Sequence, residues 1–180
     1  MVLRDPRDAF LSGLDHRDNL TDPDFAAIFP QGSDAFEHWL HHRRKPPAWD
    51  EQTLELITHF LGTYWHVRDQ PNIHFFHYSR MKQDLRGTIA SIAKALGYSY
   101  DGKQIDSFAK AASFDAMSRN ADKFAPESGT GMWKEEQKFF STGKAGRWHD
   151  ELKADQLEAF YERIGELLDS EQIDWLLDKG

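Results

Sequence analysis

The first twelve residues of the chain, MVLRDPRDAFLS, contain its best candidates for binding an anion. Arg4 carries a planar guanidinium group, which can hold a phosphate through two parallel hydrogen bonds. Ser12 lies further along the same segment and can add a hydroxyl donor. A plainer interpretation is that Arg4 forms an ion pair with Asp5 or Asp8, and this pattern alone favours the plainer interpretation.

The pattern around these residues predicts a strand that runs into a helix through almost no loop. Residues 2–3 are apolar, Asp5 is a typical N-cap, and Pro6 suits the first helical position. The helix is expected to continue over residues 7–14. Because the N-terminus of a helix presents unpaired N–H groups and partial positive charge, this corner favours a bound anion.

Two further segments place aromatic side chains at the ends of predicted elements. The segment NIHFFHY, residues 72–78, is the clearest internal strand, and Tyr78 stands at its carboxyl end, where open α/β sheets bind ligands. Ser113 is a good N-cap, and Phe114 beside it offers a flat face for a purine. The alternatives are that Tyr78 lies at the rim of the core and that Phe114 is a core or helix-capping contact.

A glycine-containing segment, FFSTGKAGRW at residues 139–148, is the third candidate for a ligand contact. Around Gly143 and Gly146 a loop can turn several backbone N–H groups toward one phosphate. Most G-x-x-G segments are plain turns, so this signal is weak when it is taken alone.

Periodic apolar residues predict the helices that must position these groups. They cover residues 34–43, 50–68, 85–96, 101–112 and 153–177, and the expected N-caps include Ser33, Asp50, Asp84 and Ser170. A strand followed directly by helix occurs twice, which is typical of an α/β domain. We therefore expect a single domain over residues 1–180.

Composition excludes several classes of function. The net charge is −8 at pH 7, so nucleic acid is not an expected partner. The chain has no cysteine, which excludes disulfides, thiolate metal sites and a cysteine nucleophile. No apolar run is long enough to span a membrane, and the prediction is a cytoplasmic protein without a membrane partner. His38 and His42 could face one metal ion, but a histidine-rich surface is favoured and no metal site is predicted.

Taken in order, these segments resemble the PAPS-dependent sulfotransferases, whose sulfuryl donor is 3′-phosphoadenosine 5′-phosphosulfate (PAPS). RDPRD followed by Ser12 resembles the family's 3′-phosphate segment. FFHYSRMKQDLRGTIASIAKALG resembles its FxxYExMKxDPxxxIxxIAxFLG stretch, and ASFDAM resembles T-S-F-D-x-M. FFSTGKAGRW resembles F-x-R-K-G-x-x-G-x-W, in which the Arg-Lys pair is replaced here by Ser141 and Thr142.

The resemblance implies a donor site and a fold. Arg4 and Ser12 would bind the 3′-phosphate, and the adenine would lie near Tyr78, Ser113 and Phe114. The loop that closes on the nucleotide would contribute Phe139, Phe140, Ser141, Thr142 and Gly143. The implied fold is α/β and P-loop-NTPase-like, here helix-rich and lacking the N-terminal part of the parallel sheet.

The implied activity is transfer of a sulfuryl group from PAPS to a hydroxyl or amine of a small-molecule acceptor. In the family a phosphosulfate loop of the type K-S-G-T-T-W and the general-base histidine precede the Arg4 strand, and the 180 residues contain neither. We therefore expect an N-terminally incomplete domain that holds the 3′-phosphate and adenine half of the donor site, with its catalytic residues and oligomeric state undetermined.

The alternative is a non-catalytic remnant or a helical interaction module that keeps the scaffold. A P-loop kinase relative is disfavoured because no Walker lysine is present.

Overall fold

The computed structural model describes residues 1–43 and 51–178, which form a helix-rich α/β arrangement. The strands are β1 (Val2–Leu3) and β2 (Phe76–His77). The helices before β2 are α1 (Pro6–Asn19), α2 (Pro23–Ala26), α3 (Ala35–His41) and α4 (Leu54–Trp65). Those after β2 are α5 (Tyr78–Gln83), α6 (Leu85–Ala95), α7 (Gly102–Ala111), α8 (Phe114–Arg119), α9 (Ala121–Phe124), α10 (Trp148–Glu151), α11 (Ala154–Leu167) and α12 (Ser170–Leu176), and a 3₁₀ turn covers Glu136–Phe139.

The two strands pair in parallel, as the α/β prediction requires. Val2 lies opposite Phe76 and Leu3 lies opposite His77. The predicted strand over residues 72–78 is too long, since only its last part pairs with β1. Phe75 instead packs its ring edge-on against Trp65 and Trp175, with ring centroids 5.9 and 5.5 Å apart.

Helix α1 begins as the sequence predicts and continues five residues further, to Asn19. The Asp5 carboxylate accepts a hydrogen bond from the backbone N–H of Arg7 at 2.9 Å, and Pro6 is the first helical residue. Phe10 and Leu11 on this helix are buried. The helix is therefore fixed to the core by one face, while its other face remains available to a ligand site.

The core lies between α1, α3, α4, α11 and α12. The Trp39 ring is at its centre, 5.0 Å from the Phe10 ring and nearly parallel to the Phe160 ring at 6.0 Å. Trp39 is 2% exposed and Phe160 is fully buried, so truncation of either ring would remove a large apolar contact. The core thus holds α1 and the strand before it in a fixed position.

Three predicted helix starts are shifted in the structure. Helix α3 begins at Ala35 rather than after Ser33. The predicted cap at Asp50 lies outside the described residues, and α4 is capped by Thr53, whose hydroxyl accepts from the Leu56 N–H at 3.2 Å. Helix α12 is capped by Asp169 rather than Ser170, because Asp169 and Gln172 form a reciprocal capping box.

Helices α6 and α7 pack on each other as a hairpin at the periphery. Their starts agree with the sequence, since Asp84 and Asp101 cap them through the N–H groups of Gly87 and Gln104. In the described residues, none of the helices combines the length and the apolar character needed to cross a membrane.

Candidate functional site

The parallel register brings Arg4 and Tyr78 together. Each residue directly follows its strand, and Leu3 and His77 are opposite each other, so the next residues emerge at the same edge of the sheet. The Arg4 guanidinium lies over the Tyr78 ring, 5.1 Å from its centroid. This is the carboxyl edge of parallel strands, where α/β sheets bind ligands.

The two arginines of the RDPRD segment have different surroundings. Arg7 is 2% exposed, forms a two-point ion pair with Asp5 at 2.7 and 3.0 Å, and lies 3.5 Å above the Trp148 ring. Arg4 donates one hydrogen bond to the Lys144 carbonyl at 3.2 Å. Its Nε is buried and has no hydrogen-bond partner among the described residues. Arg7 therefore stabilises the fold, whereas Arg4 has an unused donor.

Arg4 opens onto a cavity of about 290 Å³, near the lower end of the range of about 300–1,000 Å³ typical of small-molecule sites. Most of the residues that the sequence singled out line it. Its walls are formed by Arg4, Ser12, His16, Tyr78, Phe114, Met117, Phe139, Phe140, Ser141, Thr142, Gly143 and Arg147.

Ser113 is not among the residues that line the cavity. Its hydroxyl donates to the Lys110 carbonyl at 2.9 Å and accepts from the Ala116 N–H at 3.3 Å. These bonds make Ser113 the N-cap of α8, which sets the direction of that helix. Its contribution to the site is to place Phe114 at the cavity wall.

The segment Ser141–Arg147 is docked onto α1 by polar contacts. The Ser141 hydroxyl donates to the Asp15 carboxylate at 2.7 Å, and Arg147 forms an ion pair with the same carboxylate at 2.5 Å. The Gly146 N–H donates to Asp8 at 2.6 Å. These contacts hold the loop against α1, and its residues Ser141, Thr142 and Gly143 form one wall of the cavity.

Gly143 makes the closest approach in this wall. Its φ is +59°, and a Cβ built on it would lie 2.7–2.8 Å from the Phe114 ring, closer than side chains can pack. The Lys82 ammonium group donates to the Gly143 carbonyl and lies 5.8 Å from the centroid of the Phe114 ring. Glycine is thus required here both by the backbone conformation and by the space.

The electrostatics of the site depend on Asp15, Arg147 and His16. Burial opposes ionisation of Asp15, but hydrogen bonds from Arg147 and Ser141 outweigh it and hold the pKa of this carboxyl below its usual value. The same ion pair, with Glu151, raises the pKa of Arg147. Burial lowers the pKa of His16. The nearby positive charge of Arg4 lowers it further, and the negative charge of Asp15 only partly offsets these two effects. His16 is therefore neutral near pH 7.

Three residues at the site were missed by the sequence interpretation: His16, Lys82 and Met117. His16 could have been found, because it follows Ser12 by one helical turn and so lies on the same face of α1. Lys82 and Met117 give no such signal, since their positions depend on how distant segments pack.

The predicted surface histidines do not form a metal centre. The His38 and His42 rings stack with centroids 4.4 Å apart, and His42 contacts Glu51 at 2.6 Å. Within residues 1–43 and 51–178, no group of three or more His, Cys, Asp or Glu side chains is arranged to hold a metal ion.

The fold is α/β, and a cavity with polar and aromatic walls lies at the carboxyl edge of its parallel strands. Comparison with known proteins is more specific, because a family model described as the sulfotransferase domain matches residues 1–172. The chain belongs to the sulfotransferase family.

Its similarity to curated relatives extends over most of the chain. A glycolipid sulfotransferase of Mycobacterium bovis (strain BCG / Pasteur 1173P2) is 29% identical over 97% of this chain. The match covers 62% of that relative, so the chain spans about three-fifths of its length.

Two solved structures share the fold. Mouse sulfotransferase SULT7A1 complexed with PAP superimposes on 99% of this chain and 61% of that one, with a TM-score of 0.75 and 20% identity. The structure of retinol dehydratase in complex with androsterone and inactive cofactor PAP superimposes on 94% of this chain, and the match covers 46% of the retinol dehydratase chain. The TM-score is 0.73 and the sequence identity is 24%. The expected α/β sulfotransferase fold is thereby confirmed.

Proposed function

We propose that this chain is the donor-binding part of a PAPS-dependent sulfotransferase and that its cavity holds the 3′-phosphate and adenine of the donor. The observation that carries the proposal is the unpartnered Arg4 Nε, buried beside Ser12 and Tyr78 in one cavity. A guanidinium donor, a hydroxyl and two aromatic rings are the groups that a phosphorylated purine nucleoside requires.

The residues present fit such a ligand in distinct roles. Arg4 would bind the 3′-phosphate through Nε, since its Nη2 already donates to the Lys144 carbonyl. Ser12 would donate its hydroxyl to the same group, and Phe114 would pack against the base. The loop at Ser141–Gly143 would exclude water from one side. Ser113 would act through its cap on α8.

PAPS, when bound, supplies the sulfuryl group for transfer to the acceptor. The reaction also needs a base for the acceptor proton and donors for the phosphosulfate, and we assign neither role to a residue of this chain. The acceptor we propose is a small molecule with a hydroxyl or amine group. The curated relative named a glycolipid sulfotransferase supports a hydroxyl. We propose a cytoplasmic location for the protein.

Calorimetric titration of adenosine 3′,5′-bisphosphate into the full chain tests the donor site. Loss of a hydrogen bond to a charged group costs about 1.5–3 kcal/mol, so Arg4→Ala is expected to weaken binding by at least about tenfold. Lys144→Ala is the matched control, because it removes one positive charge from the same neighbourhood while its backbone carbonyl remains. It is expected to weaken binding only slightly.

Adenosine 5′-monophosphate serves as the second control, since it lacks the 3′-phosphate. We expect it to bind more weakly than the bisphosphate and to be insensitive to Arg4→Ala. Equal binding of the bisphosphate by the wild-type chain and Arg4→Ala would contradict the proposed role of Arg4. Absence of binding by the wild-type chain would favour the non-catalytic alternative.

A further inference from the structure

His16 is an unassigned polar group that lines the candidate donor cavity. It lies one turn after Ser12 on α1, and its Nδ1 is buried without a hydrogen-bond partner in the described part of the chain. Its ring stacks on Phe139, with centroids 4.8 Å apart, and contacts Trp133 at 5.7 Å. These contacts fix the imidazole plane, so the unused nitrogen has a defined direction.

The positive charge available to an anion in this cavity is small. Of the two arginines that line it, Arg147 is committed to ion pairs with Asp15 at 2.5 Å and Glu151 at 2.8 Å. The positive charge of Arg4 is partly neutralised by the Asp8 carboxylate, 3.9 Å away. The neighbouring loop positions, Ser141 and Thr142, bring hydroxyl groups without charge. A further cationic donor would therefore strengthen the binding of a phosphate dianion beside Arg4.

We propose that His16 is this donor, and that it binds the 3′-phosphate together with Arg4 and Ser12 and takes up a proton when the nucleotide enters. The proposal rests on the proposed function, because it assigns an additional contact within the same site. The affinity for the donor then depends on pH through the protonation of His16. A site built from arginine alone would have no such dependence, because arginine stays charged over this pH range.

The surroundings of His16 determine the direction of the effect. The charged groups that act on His16 are Asp15 on α1 and Arg4 at the strand end. The other titratable residues that line the same cavity are Tyr78 on α5 and Arg147 from the loop. Phe139 and Trp133, which pack on its ring, do not titrate. In the free protein the imidazole is neutral near pH 7, since burial lowers its pKa. A phosphate dianion next to it raises the pKa of the bound state, so binding consumes a proton.

The test is titration of adenosine 3′,5′-bisphosphate into the full chain and into His16→Gln at several pH values from 5.5 to 7.5. Calorimetry in two buffers of different ionisation enthalpy gives the number of protons taken up. We expect wild-type binding to tighten about three- to tenfold more than that of His16→Gln as the pH falls, since one unit of pKa change is tenfold. Protonation of the phosphate itself opposes binding equally in both proteins.

Two variants separate this role from packing. His16→Phe keeps a ring stacked on Phe139 and is expected to lose the pH-dependent component as completely as His16→Gln does. The matched control is His66→Gln, since His66 is an exposed histidine beyond the end of α4. This variant should keep the wild-type proton uptake.

The outcomes are distinct. Wild-type binding with the same proton uptake in both His16 variants would overturn the assignment of His16 and leave the donor site intact. Failure of the wild-type chain to bind the bisphosphate at any pH would overturn the proposed function and this assignment with it.

Discussion

Single residues at the cavity wall are constrained both by backbone conformation and by the space around them, and Gly143 is the clearest example. We predict that Gly143→Ala weakens binding of adenosine 3′,5′-bisphosphate by about tenfold or more, because a Cβ would lie 2.7–2.8 Å from the Phe114 ring and φ is +59°. The methyl group must push the loop off Phe114 and widen the wall of the cavity. Calorimetric titration measures the loss.

Gly129→Ala provides the control for that experiment, since Gly129 also has a positive φ, +77°, but has open space around the Cβ position. Gly129→Ala should have the same kind of backbone strain as Gly143→Ala but bind adenosine 3′,5′-bisphosphate as tightly as the wild type. Equal losses in the two variants would show that strain alone, and not contact with Phe114, matters.

The ion pair of Asp15 with Arg147 gives a second residue-level prediction, on stability against pH. The pKa of Asp15 is lowered in the folded state, so its contribution is present above the unfolded pKa of about 3.9 and is lost as the pH falls through the lower folded value. Asp15→Asn should therefore reduce the Tm at pH 7, and the difference from wild type should shrink as the pH falls below the unfolded pKa.

Thermal unfolding followed by circular dichroism across this pH range is the measurement. Asp18→Asn is the matched control on the same helix, because the Asp18 side chain is 68% exposed and its pair with Arg17 is solvated. A constant difference between wild type and Asp15→Asn down to pH 3 would be incompatible with the ion pair as the cause.

Sequence spacing was a good guide to which residues meet, whereas the roles assigned to them stay predictions. Arg4, Ser12, Tyr78, Phe114 and the loop were singled out from four separate segments, and the structure brings them to one cavity. That they bind a nucleotide stays a prediction. The N-cap role predicted for Ser113 is confirmed, whereas its contact with the adenine stays a prediction, because the same hydroxyl suits a ligand and a helix cap.

At the level of elements, helix α12 is tied to the strand end by a polar cluster of His77, Ser79, Arg80 and Asp178. The buried His77 ring contacts the Ser79 hydroxyl at 2.7 Å and the Leu176 carbonyl at 3.0 Å. Ser79 donates to Asp178, and Arg80 pairs with the same carboxylate at 2.5 Å. Since Tyr78 lies between two members of this cluster, α12 helps to hold the cavity edge.

Asp178→Asn is expected to destabilise the chain by about 1–3 kcal/mol through loss of charge-assisted hydrogen bonds. Asparagine tolerates the left-handed backbone at this position, φ +56°, so the variant isolates the charge. Hydrogen exchange should accelerate in α12 and at residues 76–79. Glu171→Gln, on the same helix, breaks an exposed pair with Arg68 at 3.2 Å and should cost less than about 1 kcal/mol.

Local signals predicted helices better than strands. Asp5 and Asp84 were recognisable as caps because the capping bond is made within the same few residues. The length of β2 was overestimated because pairing depends on a partner remote in sequence, and aromatic residues suited to a strand also suit a core. Ser170 was preferred over Asp169 although the reciprocal Gln172 identifies the true cap.

For the whole molecule, the cavity is formed by segments that are far apart in sequence, from Arg4 to Arg147, so a ligand that contacts all of them should stabilise the fold. At a free concentration of 100 times Kd the gain is about 2.7 kcal/mol, or roughly 5–10 °C in Tm for a domain of this size. Adenosine 3′,5′-bisphosphate should raise the wild-type Tm by this amount and that of Arg4→Ala much less. An equal shift in both proteins would place binding away from Arg4.

The parallel pairing of Val2 with Phe76 also determines the order in which the protein can fold. Forming it closes a loop of about 74 residues, which costs roughly 4 kcal/mol of chain entropy, whereas α6 and α7 are neighbours in sequence and need only a short turn. The cavity edge at Arg4 and Tyr78 cannot exist before that loop is closed. During refolding, the far-ultraviolet helix signal should therefore recover earlier than the capacity to bind adenosine 3′,5′-bisphosphate, which stopped-flow measurements can resolve.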